Sequence, residues 1–313
     1  MKVLFERKKL IELSEVNEQA ASDKEYIARC EEQYHIRVGE TVDCFEDSGC
    51  SIIMVSGPSA SGKTTSSYKI AKELESRGRS TTVISLDNFF RKLEDYPKTE
   101  EGIPDFEHVQ ALDVERVNRC LKELIENGKS DIPVFDFLTQ RRCTETQTLE
   151  TGHGEAVIIE GIHALNPILS ESISSADIFR LYVGLRLEYS ENGERVLKTR
   201  NLRIMRRLVR DYYFRGHSVR NTLELWKRLR DGEELWIKPF KKDADMLLDS
   251  SFEYEPGVFV PILKELLDDP EQGGEFRHML QRLWEQFVKF DPIELSRIPA
   301  GSMLREFVGG LEL

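Results

Sequence analysis

The run Gly57-Pro58-Ser59-Ala60-Ser61-Gly62-Lys63-Thr64 constrains this chain more than any other segment. It matches the spacing G-x-x-x-x-G-K-[ST], with the apolar run Ser51–Val55 before it and a helical pattern, Thr64–Ser76, after it. A glycine-rich turn between a strand and a helix aims successive backbone N–H groups into one small space. The helix N-terminus adds a partial positive charge there, so the turn suits a polyphosphate. On this reading Gly57, Ser59, Ala60, Ser61, Gly62, Lys63, Thr64 and Thr65 bind ATP. Lys63 reaches the β- and γ-phosphates, and the Thr64 hydroxyl ligates Mg²⁺.

The run Ser51–Val55 lacks alternation, as expected of a strand buried on both faces of a parallel sheet. Similar runs recur at Thr82–Leu86, Ala156–Ile159, Ile178–Val183 and Met246–Leu248, separated by helical patterns at Thr64–Ser76, Val114–Asn127 and Lys198–Tyr213. This alternation predicts an α/β fold of the P-loop NTPase type, a parallel sheet flanked by helices with right-handed crossovers. Residues 1–48 read as an N-terminal helical appendage with a helix over Lys24–Tyr34. Residues 49–256 read as the P-loop core, and 257–313 as a C-terminal helical extension with helices at Pro261–Leu267 and Glu275–Lys289.

The apolar runs are far shorter than the roughly 20 residues needed to cross a bilayer, and no signal-peptide core follows Met1. The expected location is the cytoplasm. Five cysteines without a CxxC pair argue for reduced thiols rather than a disulfide framework or a zinc site. A net charge of −12 disfavours general nucleic-acid binding.

Two carboxylates close apolar strands: Asp87 after Thr82–Leu86 and Glu160 after Ala156–Ile159. In open α/β sheets, ligands bind beyond the carboxyl ends of the strands, and an unpaired carboxylate is costly in the core. A P-loop with two such groups suits phosphoryl transfer to an alcohol: one takes the hydroxyl proton, the other helps hold Mg²⁺. No NKxD-like run for a guanine base is present. Against the acidic background, residues 195–230 hold twelve Lys or Arg and two acids, Asp211 and Glu224. Within this run Arg203, Arg206, Arg207 and Arg210 fall on one helical stripe. Like charges so spaced repel unless an anion meets them, which predicts a lid over a triphosphate, with Arg215-Gly216-His217 as its bend. A basic face paired with the protein's own carboxylates, or an RNA contact, would use the same pattern.

Taken in order, these motifs resemble the uridine kinase and phosphoribulokinase superfamily over about residues 50–255. The matching elements are the P-loop, Leu86-Asp87-Asn88-Phe89-Phe90, Asp105-Phe106-Glu107-His108 with Ala111-Leu112-Asp113, and Pro133-Val134-Phe135-Asp136-Phe137. Further matches are Ile159-Glu160-Gly161-Ile162-His163 with Ala164-Leu165-Asn166-Pro167, and Arg206-Arg207-Leu208-Val209-Arg210-Asp211. The resemblance implies a kinase for a small hydroxyl compound, above all the 5′-hydroxyl of a uridine- or cytidine-like nucleoside. It implies Asp87 as catalytic base on a strand beside the P-loop strand, and Glu160 as a magnesium-associated carboxylate, with Asp87 as an alternative metal ligand. Arg207, Arg210 and Arg215 become lid cations. Where uridine–cytidine kinases carry a tyrosine and a histidine on the pyrimidine, this chain has Phe135 and Gln140. Glu107 stands for their sugar-binding aspartate and Phe90 for a tyrosine after the catalytic loop, so Phe90, Glu107, Phe135, Gln140 and Arg207 are the acceptor-side candidates. A sugar, sugar phosphate or other small alcohol as acceptor, or a regulatory nucleotide-binding module, are the alternatives, and a homo-oligomer is compatible with either.

The stretch Arg206–Trp226 and the ending Ser302-Met303-Leu304-Arg305-Glu306-Phe307-Val308-Gly309-Gly310 are similar to a bacterial uridine kinase-like subgroup. That subgroup is often joined to a threonyl-tRNA synthetase-like N-terminal region. The first 48 residues are too short to hold such a domain.

Overall fold

Short apolar strands that must be covered on both faces stack side by side, and the chain covers them with helices. The computed structural model describes residues 8–136, 141–152, 154–268 and 276–312. In chain order the elements begin with β1 (Lys9–Glu12), α1 (Leu13–Ser22), α2 (Tyr26–Ser48), β2 (Ile52–Ser56), α3 (Lys63–Ser76) and β3 (Thr81–Ser85). There follow α4 (Val114–Asn127), β4 (Lys129–Asp136), β5 (Arg141–Glu150), β6 (Ala156–Glu160) and β7 (Ile178–Gly184). The remainder comprises β8 (Leu187–Glu191), β9 (Glu194–Leu197), α5 (Thr199–Phe214), α6 (Val219–Trp236), β10 (Met246–Asp249), α7 (Glu255–Asp268), α8 (Arg277–Phe287) and α9 (Arg305–Val308).

The main sheet has the order β10-β7-β2-β6-β3, with every neighbour parallel. All residues of β2 and β6 are buried, whereas β3, at the edge, is mostly half-buried. The β2–α3–β3 crossover skips one position, and β6 fills it. The expectation that Asp87 follows a strand adjoining the P-loop strand is therefore corrected, because Glu160 on β6 pairs with Val55 on one side and Ser85 on the other. Apolar side chains form one cluster with α2, α3, α5 and α7 and a second with α4, one on each face of the sheet.

Residues from the first 48 contribute to the first of these clusters. Strand β1 adds in parallel to β8, and the fully buried Tyr34 of α2 shares a 2.7 Å hydrogen bond with the Ser66 hydroxyl of α3. The β8–β9 hairpin turns at Asn192 (φ 54°) and Gly193 (φ 80°), both left-handed, as a tight two-residue turn demands. Antiparallel β4 and β5 form a separate two-stranded ribbon whose second strand is largely exposed.

Candidate active site

The loop after β2 passes so close to β7 that a Cβ on Gly57 would lie 2.1 Å from the Val183 carbonyl oxygen, which only glycine allows. Ala60 (φ 59°) and Gly62 (φ 82°) take the left-handed conformation that turns neighbouring amides toward one side. The first helical bond of α3 runs from Ser66 N to Gly62 O at 3.0 Å. The amides of Lys63, Thr64 and Thr65 therefore have no partner within the helix, and such amides can receive an anion. Lys63 is buried, its Nζ donating to Pro58 O at 3.1 Å. Burial lowers its pKa, and the carboxylates of Glu160 and Asp87 oppose that shift.

Asp87 sits in a single helical turn, Leu86–Phe89, entered through Ser85. The Ser85 hydroxyl donates to Glu160 Oε1 at 2.6 Å, so the ends of β3 and β6 are tied together. Burial raises the pKa of Asp87 against the pull of Lys63, Arg215 and Arg210. Burial, and next the Asp87 charge, push Glu160 up to about 7. Two carboxylates crowded beside one buried lysine form an oxygen-rich site with unbalanced negative charge. With the exposed Thr64 at the start of α3, that donor set fits a hard divalent cation such as Mg²⁺, which takes oxygen ligands and relieves such repulsion. Gly161 is needed for close contact: a Cβ there would lie 2.7 Å from Leu86 Cβ.

Among the residues expected on the acceptor side, Phe90 stacks with Tyr96 (centroids 6.0 Å apart) and packs against Phe135 at 5.7 Å, while Phe106 meets Tyr96 at 5.4 Å. Burial, and then Asp87, push the Tyr96 phenol up to about 12. Tyr96 thus joins the site although sequence reasoning passed over it. Its signal was available: it is the first aromatic residue after Phe90 in the same segment. Glu107 is pushed up to about 8, first by burial and then by Glu233, with Arg207 and Lys63 opposing. Helix α6 lies directly on it, since a Cβ on Gly232 would meet Glu107 Cβ at 2.3 Å. Arg142 clamps the loop by donating to Phe89 O, Phe90 O and Asp113 Oδ2 at 3.3, 3.2 and 3.1 Å. Gln140 lies outside the described residues, as does Phe137 of the same motif.

The arginine stripe divides. Arg207 donates to Ser59 Oγ in the P-loop at 2.8 Å, and Arg203 Nε to Ser59 O at 3.0 Å while its other nitrogens grip Glu233. Arg207, Arg210 and Arg215 converge on the buried Asp211, whose carboxylate oxygens lie 3.1, 2.9 and 3.9 Å from their nitrogens. Arg206 departs from the expected phosphate-facing stripe: it is fully buried, bound at 2.5 and 2.7 Å to Glu255 and at 2.8 Å to Ser250 O. It is an internal ion-pair member rather than a lid cation. Gly216 (φ 65°) follows α5, and Ser218 caps the next helix by accepting from Asn221 N at 3.2 Å.

The P-loop, the two strand-end carboxylates and the arginine helix all lie within one stretch of the chain, which a known family matches. The profile of the "Phosphoribulokinase / Uridine kinase family" matches residues 52–253. The chain belongs to that family. It is an ATP-dependent phosphotransferase acting on a hydroxyl group. A uridine kinase of Ligilactobacillus salivarius is 27% identical over 214 residues, covering 68% of this chain and 91% of the relative. One from Macrococcus caseolyticus is 30% identical over 201 residues, covering 63% and 86%. A solved structure from a Silicibacter species, provisionally named a fructose transport system kinase, superposes with a TM-score of 0.51 at 19% identity, covering 67% and 98%. This last likeness concerns the fold of the kinase alone.

Proposed function

We propose that the protein transfers the γ-phosphoryl group of ATP to the 5′-hydroxyl of a nucleoside of the uridine or cytidine type. The reading rests on one observation above the others: half-buried Asp87 stands with the buried Glu160 and Lys63, and the charges of Lys63 and Asp87 each perturb the protonation of the other two groups. In this proposal Asp87 accepts the proton of the attacking hydroxyl, a role that lysine and arginine charges favour by stabilising its ionised form. Lys63 and the loop amides hold the β- and γ-phosphates. Arg207, Arg210 and Arg215 neutralise charge that develops on the transferred group. Thr64 and Glu160 would hold Mg²⁺, which would supply neutralisation of phosphate charge.

Glu107, neutral near pH 7 with a pKa of about 8, can donate a hydrogen bond to a sugar oxygen as well as accept one. Phe90 and Phe135 would flank the base. Because neither ring carries a polar tip, discrimination by hydrogen bonding to the base falls to other groups, Gln140 among them. We further place the chain with the bacterial uridine kinase-like subgroup and in the cytoplasm. In support of the second point, no helix among the described residues is long and apolar enough to cross a membrane. An ADP-release screen over nucleosides, sugars and sugar phosphates with MgATP tests the proposal. Turnover with uridine or cytidine is expected, and turnover confined to sugars or sugar phosphates would overturn it.

A further inference from the structure

The C-terminal segment reaches back to the P-loop. Glu306 Oε2 accepts from the Thr65 hydroxyl at 2.6 Å and from Thr65 N at 3.4 Å, a separation of 241 residues in sequence. Thr65 is the last residue of the phosphate-binding turn, where an unpaired helix amide and a hydroxyl point the same way. A negatively charged group with two oxygens sits on those donors, and an α-phosphate asks for the same arrangement. Beside it Met303 covers the loop: a Cβ on Gly62 would lie 2.6 Å from its sulfur. Thr65, Ser61 and Ala60 are almost fully buried.

The segment has its own anchors. The Ser302 hydroxyl donates to Glu31 Oε1 at 2.5 Å, and Phe307 packs under the Arg206 guanidinium at 4.9 Å from the ring centroid. Gly309 touches Phe214, the last residue of α5, so closely that a Cβ would meet the ring at 2.6 Å. One short strap therefore spans the P-loop and the end of the arginine helix. Its carboxylate is the single member whose charge opposes the ligand this loop is built for.

We infer that Glu306 is an internal competitor for the nucleotide α-phosphate, so that nucleotide binding must displace the Ser302–Gly309 strap from the start of α3. This rests on the P-loop reading under "Proposed function" and adds to it a determinant of nucleotide affinity. A site occupied by its own chain binds ligand more weakly in proportion to the fraction of molecules in which it is free. Glutamine keeps the size and the accepting oxygen of Glu306 but not the charge.

The test measures MgADP affinity of the full chain and of Glu306→Gln by calorimetry, and amide exchange of residues 302–309 with and without MgADP. Removing the competing charge is expected to tighten binding by about tenfold, with faster exchange in the strap once MgADP is bound to the wild type. Unchanged or weaker binding by the variant would overturn the inference and leave Glu306 a support for the loop. Slower or equal exchange in the wild-type strap would do the same, even if the variant folded poorly. Absence of MgADP binding by both proteins would instead overturn the phosphate-loop reading itself, and this inference with it.

Discussion

A carboxyl group with a pKa of about 8 inside a fold, against 4.5 in its ordinary state, makes stability depend on pH in a way that can be measured. Glu107 is such a group, raised by burial and by Glu233. Below pH 4.5 both folded and unfolded chains carry the proton, and the group costs nothing. As pH rises the unfolded chain releases its proton while the fold retains it, so stability falls until the folded carboxyl also ionises near pH 8. At about 1.4 kcal/mol per pH step the full loss approaches 5 kcal/mol, an upper bound because relaxation and water entry soften it. Asp87 and Glu160 are raised too and add falls of the same sign. Glu107→Gln isolates one contribution. Denaturant unfolding of both proteins from pH 5 to 9 should show the variant losing less stability on the way to pH 8, by about 2–4 kcal/mol in total. Parallel curves would mean that Glu107 is ionised within the fold, and would refute the account of burial and of Glu233 as its cause.

Lys63→Ala should abolish turnover and weaken ATP binding, because the lysine faces phosphate charge in both ground and transition states; unchanged kcat in steady-state assays contradicts this. Asp87→Asn should lower kcat by about 10²–10⁴ with ATP affinity nearly intact, and rescue by excess Mg²⁺ would reassign Asp87 to the metal. Arg206→Met should destabilise by about 3–5 kcal/mol, since Glu255 would be left buried and unpaired. Arg210→Ala, beside Asp211 at the site, should instead cut kcat with a smaller loss in chemical unfolding. Hydrogen exchange over 203–217 should slow when ATP and an acceptor are both bound, and equal exchange would favour a purely structural basic helix.

What the sequence made legible was local. The P-loop, the buried strands and the helix starts each carry their signal within a few residues, and the structure places strands within a residue or two of the apolar runs. Two elements had local signals that were passed over. Asn192-Gly193 is a strong hairpin signature, and Leu223, Trp226 and Leu229 mark the buried face of α6 inside a run read only for its charge. The order of strands was less accessible, because β6 enters between β2 and β3 about 70 residues after the latter.

The arginines show where local reading must stop. Helical spacing puts Arg203, Arg206, Arg207 and Arg210 along one face, and spacing alone cannot divide them. The partners that do so come from elsewhere: Glu233 is 30 residues from Arg203, and Glu255 is 49 from Arg206. A guanidinium buried to 0% exposure is tolerable only if a carboxylate and further acceptors are already fixed around it, which α7 and the Ser250 carbonyl accomplish for Arg206. Arg207, Arg210 and Arg215 share the carboxylate of Asp211, so three positive charges from this segment meet one negative charge of its own. That surplus is unfavourable in the protein by itself and favourable once a polyphosphate is present. The same helix therefore fastens the fold through Arg203 and Arg206 and keeps its charge imbalance at the ligand through Arg207 and Arg210, which explains why Arg206 and Arg210 variants should fail in different assays.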